Sequence, residues 1–246
     1  KKILLGGTFL AFFACQNDNS QIDANKNNIV LKEKGTASSE AYVQENITAK
    51  HIGNFYDCEV KVSVQKNENT ITFELSNGEK LNLLDGEVIA SRAALSSYRF
   101  LRDSANIEYD TYQIHVTQNE KEDFVMAQYK KKQLLFFESK IEICNNFIEL
   151  WTKGDFDELI LLFAPEVEAV KNKDMLIEML SSIDREYGEF IYGDILGFTS
   201  PKPIDTGEET KDIFKIKTVQ KRELNDKNIE FIINMDPNDN SIYGIN

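Results

Sequence analysis

The side chains of this chain that could do chemistry are few and scattered. Abstracting a proton needs a carboxylate that can lose its water beside a hydrogen-bond donor. The candidates for it are Asp194 with either Tyr192, two positions earlier, or Tyr187 upstream. An Asp and a Tyr suffice for such work when an apolar site tunes them. On a strand, however, Tyr192 and Asp194 share one face while Gly193 points to the other, so an outward face would leave both in water. The two histidines, His51 and His115, are too far apart to suggest a metal pair, and His115, between Ile114 and Val116, falls on the polar face of a strand. Asp236, Asn238 and Asn240 imitate the start of an EF-hand loop, but Ser241 stands where that loop needs glycine, so a tight turn is expected there and no metal. There is no glycine-rich phosphate loop, no Gly-x-Ser-x-Gly, no His-Glu-x-x-His and no Cys-x-x-Cys, and no cofactor is expected.

Any such chemistry would have to be positioned by two runs of secondary structure. Residues 47–130 read as a small α+β domain. Val60, Val62 and Val64 alternate with polar residues, as do Ile71, Phe73 and Leu75, and Asn77-Gly78 is a hairpin signal before Leu81 and Leu83. These strands predict an antiparallel meander. Ile89, Ala93 and Phe100-Leu101 mark one helix between Glu87 and Asp103, after which Tyr112, Ile114 and Val116, then Phe124 to Tyr129, return to strand. The run Lys130-Lys131-Lys132 reads as a solvated helix start.

Residues 131–246 carry a clearer pattern. Leu134, Phe137, Ile141, Cys144, Ile148 and Trp151 recur at steps of three and four, an amphipathic helix that Gly154 can end in a left-handed conformation. Asp155 caps a second helix, with Glu158 three residues on, and Pro165 stops it. Val167 to Val170 reads as a short strand, and Met175, Leu176, Met179, Leu180, Ile183 and Tyr187 as a third helical face closed by Gly188. Extended segments follow at Phe190–Phe198, Ile213–Val219, Ile229–Met235 and Ile242–Ile245.

Two resemblances rest on these residues. Lys1-Lys2, the apolar run Ile3 to Ala14, then Cys15 and the polar Gln16-Asn17-Asp18 resemble a bacterial lipoprotein signal, with Phe12 where the usual lipobox has Leu. Twelve apolar residues are too few to span a bilayer, which needs about 20. The resemblance implies a signal peptide at 1–14, an acylated Cys15, a flexible tether at 15–46 and attachment to the cell envelope at its outer membrane. Each buried methylene of such acyl chains contributes about 0.8 kcal/mol. The second resemblance is carried by Phe147-Ile148-Glu149-Leu150-Trp151-Thr152-Lys153-Gly154-Asp155-Phe156, continuing to Leu162-Phe163-Ala164-Pro165. This phrase is similar to the opening of NTF2-like (cystatin-like, SnoaL-like) domains. It implies a cone of three helices on a curved antiparallel sheet enclosing a pocket, which relatives use for catalysis, for ligand binding or as a dimerising scaffold. The expected fold class is therefore α+β: a small N-terminal antiparallel sheet with one helix, then the cone. Phe147, Trp151, Tyr187, Tyr192, Phe198 and Phe231 are the aromatic residues expected to line a pocket, with core packing as the alternative for each.

Charge and cysteine content bound the partners. The formal net charge is −13, and loss of Lys1 and Lys2 with a signal would take it to −15. A surface this acidic repels phosphate backbones, so nucleic acid is not an expected partner. An exported protein can keep a disulfide, and a Cys58–Cys144 bridge would contribute about 4 to 5 kcal/mol in the chain-entropy model. A free Cys144 packed on the apolar stripe of its helix is the alternative. The leading functional expectation is a lipid-anchored binding or interaction module for a small apolar ligand or an envelope protein, with a homodimer among the expected assemblies. The competing expectation is a small isomerase, lyase or hydrolase-like enzyme that uses an Asp inside the cone.

Overall fold

The computed structural model of the chain describes residues 42–118, 123–167, 172–199, 201–205 and 210–246. The expected signal peptide, Cys15 and the tether up to residue 41 lie outside the described residues.

Helix α1 (Val43–Tyr56) is the first helix among the described residues, so residues 43–46 of the expected tether are helical. Its buried face is Glu45, Thr48, Ala49, Ile52, Gly53 and Tyr56, which recur at helical steps. Half of that face is polar or lacks a side chain, which is why apolar periodicity misses it. Glu45 is tolerated inside because the Tyr109 hydroxyl donates to its carboxylate at 2.5 Å. Strands β1 (Glu59–Gln65), β2 (Thr70–Ser76), β3 (Thr111–Gln118) and β4 (Asp123–Lys130) form the first sheet in that order.

This sheet is mixed, which corrects the antiparallel meander. β1–β2 and β3–β4 are antiparallel, but β2 and β3 run parallel. A parallel pair cannot be joined by a tight turn and needs a crossover, which helix α2 (Gly86–Ala105) supplies. The strand expected at Leu81 and Leu83 is instead a 3-10 turn over Glu79–Asn82, with Leu81 fully buried and Leu83 80% exposed. Asn77 does turn the chain, at a φ of 57°, but into that turn and not into a hairpin.

The start of α2 is capped by Asp85, whose carboxylate accepts the Glu87 N–H at 2.8 Å. Asn106 closes its end in a left-handed conformation. The helix is buried on nearly every side. Small residues, Ala90, Ser91, Ala93, Ala94 and Ser97, let β3 and β4 approach on one flank and β5 on the other.

The second half follows with α3 (Lys131–Lys153), α4 (Phe156–Ile160) and α5 (Lys173–Tyr187). Gly154 ends α3 at a φ of 71°, and Asp155 accepts the N–H of Glu158 at the head of α4. Then come β5 (Phe190–Phe198), β6 (Lys202–Asp205), β7 (Thr210–Arg222), β8 (Lys227–Asn234) and β9 (Ile242–Ile245). They pair antiparallel in the order β5-β7-β8-β9, and β6 lies along the start of β7. The sequence does not announce β6, because four residues are too few to show a period. Of the strand expected at Val167 to Val170, all but Val167 lies outside the described residues; nearby, Phe163 bridges parallel to Ile242. The chain is thus α+β with two sheets. One apolar core runs through both halves, from Ile52 and Phe73 to Phe147 and Phe231.

Candidate functional site

Behind the second sheet the expected pocket residues meet one another. The Phe147 ring is edge-on to Trp151, Phe163 and Phe231, with centroids 5.3 to 6.1 Å apart, and all four are buried. Trp151 Nε1 donates to Asp184 Oδ2 at 3.1 Å. The Arg222 guanidinium lies 4.4 Å from the Trp151 ring and donates to Asp184 Oδ1 at 2.6 Å and to the Gly188 carbonyl at 2.9 Å. Its Nε donates to Gln220 Oε1 at 2.9 Å. Tyr187 is half-buried with the Lys227 ammonium 5.0 Å from its ring, and Tyr192 is 56% exposed. Of the six residues, Phe147, Trp151, Phe198 and Phe231 are buried in the core, Tyr187 and Tyr192 lie at the rim or surface, and Phe198 also lines a cleft.

Asp194 has a structural partner. Its carboxylate, 47% exposed, accepts from Arg92 Nη2 at 2.6 Å, tying β5 to α2. The buried Arg92 guanidinium is seated 3.9 Å over the Phe55 ring. Beside this clamp the Phe198 N–H donates to Ser91 Oγ at 2.8 Å. Gly197 has a φ of 148. It passes so close to α2 that a Cβ there would stand 2.2 Å from the Val88 carbonyl oxygen, which only glycine permits. A proton-abstracting Asp wants a carboxyl pushed up by burial. Asp239 goes the other way: burial alone would raise it, but hydrogen bonds from Tyr243, Asn234 and Ser241 outweigh that and hold it at about 2.

Where the two halves meet, a cleft of about 250 Å³ opens. Its floor is aromatic: Phe137 of α3 stacks on Phe198 with centroids 3.7 Å apart, and Tyr129 of β4 meets Phe198 edge-on at 5.8 Å. Val125 to Tyr129 of β4 form one wall, and Thr199, Pro201 and Met235 the other. Among the described residues Glu87 is the one charged member of this lining. Burial raises the Tyr129 phenol, and the Glu87 carboxylate adds to the effect, so the hydroxyl stays protonated as a donor.

Met235 is held from across the sheet. Its N–H donates to the Asp212 carbonyl at 2.8 Å. The following turn wraps the buried Lys140 ammonium, which donates to the carbonyls of Asp236 (2.9 Å) and Asp239 (2.6 Å) and to Asn240 Oδ1 (3.2 Å). Burial lowers the Lys140 pKa against the opposing pull of Asp239 and Asp236. The residues that imitate a calcium loop therefore enclose a cation that the chain itself supplies. Among the described residues no group of three or more His, Cys, Asp or Glu could hold a metal ion.

The remaining candidates are structural. His51 stacks on Phe100, and burial, then the Arg92 charge, lowers its pKa. His115 does lie on the outer face of β3, edge-on to Phe124. Cys58 and Cys144 are both buried and free, so the bridge left open by the sequence is not made. Burial, with Asp57 and Glu59 nearby, pushes the Cys58 thiol up to about 12, and burial raises Cys144 as well, which leaves neither a ready nucleophile. In the lysine run, Lys130 donates to Thr111 Oγ1 at 2.8 Å and Lys131 pairs with Glu108.

Val125, Ala127, Tyr129, Phe137 and Met235 border the cleft, and sequence reasoning does not single them out for a site. The available signal is the uncharged run Phe124 to Tyr129, but its neighbours across the seam, Phe198 and Thr199, are distant in sequence and share no period with it. No protein-family model, curated protein or solved structure matches the chain.

Proposed function

We propose that this chain is a lipid-anchored protein of the bacterial cell envelope, held at the outer membrane through Cys15, whose body binds a ligand or partner in the seam cleft. The cleft carries the reading. It is open, floored by three aromatic rings, bordered by β4 and given polar groups by Glu87, Gln128, Gln133, Thr199 and the Tyr129 hydroxyl, a concave site of mixed apolar and polar lining. The acidic charge of −13 argues against a nucleic-acid partner.

The second half reads best as an NTF2-like cone. Support comes from the order α3, Gly154-Asp155, α4, Pro165, α5, then strands paired β5-β7-β8-β9 with β6 along β7, and from Phe163 set parallel to Ile242. Register shifts at Phe190–Tyr192 and Ile195–Gly197 are bulges of the kind that curve a sheet. The enzyme reading is the weaker one, because Asp194 is half-exposed and bound to Arg92.

Two measurements test the proposal on the full chain expressed in a bacterium. Radiolabelled palmitate should enter the protein and follow it to the outer membrane, and Cys15→Ser should lose both label and membrane attachment. Native mass spectrometry of the purified protein after exposure to envelope extract should show an adduct that Met235→Trp, which fills the cleft, abolishes. An adduct unchanged by Met235→Trp would remove the cleft from the proposal.

A further inference from the structure

The free edges of the two sheets are not treated alike. An edge strand presents unpaired N–H and C=O groups, and proteins blunt it with charge, proline or a covering element. β1 carries Lys61 near its middle. β5 is covered by α2, which takes the Phe198 N–H on Ser91 and seats Gly197 against Val88. β6 contains Lys202 and Pro203. β9 is closed by the segment after α4: the Ile242 N–H donates to the Leu162 carbonyl at 2.7 Å and the Ala164 N–H to the Ile242 carbonyl at 3.0 Å.

Between its ends β4 carries neither charge nor proline, and although α2 packs on it through Gly86 and the Val125 side chain, no main-chain hydrogen bond among the described residues closes its edge as at β9. Phe124-Val125-Met126-Ala127-Gln128-Tyr129 holds no charge, proline or glycine. Among the described residues its strand partner is β3 alone, so every second residue turns its N–H and C=O toward the open side. That open side is the seam cleft, which five consecutive β4 residues line. Phe124 and Met126 stand 54% and 66% exposed on the outer face, where they would cover the side chains of a strand laid alongside.

We propose that the seam cleft is a β-augmentation site, in which an extended peptide segment of a partner protein adds to the free edge of β4 and sets an apolar side chain on the rings of Tyr129, Phe137 and Phe198. This deepens the reading of the cleft as the binding site and rests on it. Main-chain bonds to β4 supply affinity, and the aromatic floor selects alternate side chains. The opposite wall does not compete for the strand: the Thr199 N–H is already given to the Lys215 carbonyl, and Pro201 has none. Charge decides between occupants. A second copy would bring two bodies of net charge −13 together edge to edge, whereas so acidic a body favours a basic peptide.

The probe is a random-peptide display library panned against the immobilised full chain in detergent. Selected peptides should alternate apolar and polar residues, carry Lys or Arg, and lose binding to Met235→Trp and to Ala127→Pro. Ala127→Pro risks misfolding, so a selected peptide is also scanned by backbone N-methylation, which leaves the protein untouched. Methylation should weaken binding about tenfold or more at every second peptide position and be tolerated at those between. Loss without alternation, selected peptides that still bind Met235→Trp, or no selection above the bare support would each overturn the proposal. So would a dimer in light scattering that Ala127→Pro converts to monomer, which would make a second copy the occupant. If peptides fail while a small-molecule adduct remains sensitive to Met235→Trp, the peptide inference falls and the cleft survives. If Met235→Trp changes neither, both fall.

Discussion

Helix α3 places aromatic rings in two regions of the molecule with opposite results. Near its C-terminal end, Phe147 and Trp151 pack against Phe163, Phe231 and the Asp184–Arg222 pair, and all four rings are buried. Earlier on the same helix, Phe137 stacks on Phe198 just as closely and meets Phe214, and this pair, equally buried, also lines the seam cleft where β4 ends the first sheet. Aromatic content does not make a pocket. A cleft forms where an element stops beside its neighbour's apolar surface, and among the described residues the seam is such a place.

Substitutions on either side of this contrast put it at risk. The largest effect is expected at Phe147→Ala, which should cost about 3 to 5 kcal/mol in urea unfolding because its surroundings cannot collapse into the hole. Met235→Ala, beside space that is already open, should cost under about 1.5 kcal/mol. Equal costs would erase the distinction between the two regions. Gly197→Ala is expected to cost about 3 kcal/mol, because the backbone cannot relax without parting α2 from β5. Its new Cβ would strike the Val88 carbonyl at 2.2 Å. A near-neutral result there would mean the seam is loose. Arg222→Met should cost about 2 kcal/mol, between the values for a buried and an exposed ion pair. The intermediate value follows from Asp184, whose side chain is 45% exposed. A loss as large as that of Phe147→Ala would show that the pair is sealed from water.

Acid should act through Asp239. Its folded-state pKa of about 2 lies below the usual 3.8, so the stability it contributes is present above about pH 4 and lost as the pH falls toward 2. Asp239→Asn should flatten that part of the urea-midpoint profile; an unchanged profile would show that the turn around Lys140 is not held by this carboxylate. The smallest stability effect is expected at Met126→Lys, within about 0.5 kcal/mol for an exposed position. That side chain is two-thirds exposed. The same change should blunt the β4 edge and reduce peptide capture. Loss of both stability and capture would make Met126 part of the core.

Legibility followed the chemistry of each segment. β5 and β9 have the expected ends because glycine, proline and polar turns bracket short apolar runs. α3 is legible from steps of three and four that carry large apolar side chains, and Gly154-Asp155 from its left-handed and capping roles. α1 is hidden because Glu45, Thr48 and Gly53 occupy its buried face. The parallel pairing of β2 with β3 is hidden because alternation records which face is buried and not the direction of the neighbour.

The features legible in the chain are therefore local: the helices of the second half, most of its strands, an acidic charge and an α+β composition. These rest on interactions between residues a few positions apart, where period, caps and turn residues act directly. Three-dimensional assembly was needed to decide that Phe198 lines a cleft while Phe147 does not border it, that Asp194 clamps Arg92, that Lys140 fills the turn resembling a calcium loop, and that among the described residues β4 pairs with β3 alone. Each depends on which surfaces meet between distant parts of the chain, or on what fails to arrive, and no local period encodes either.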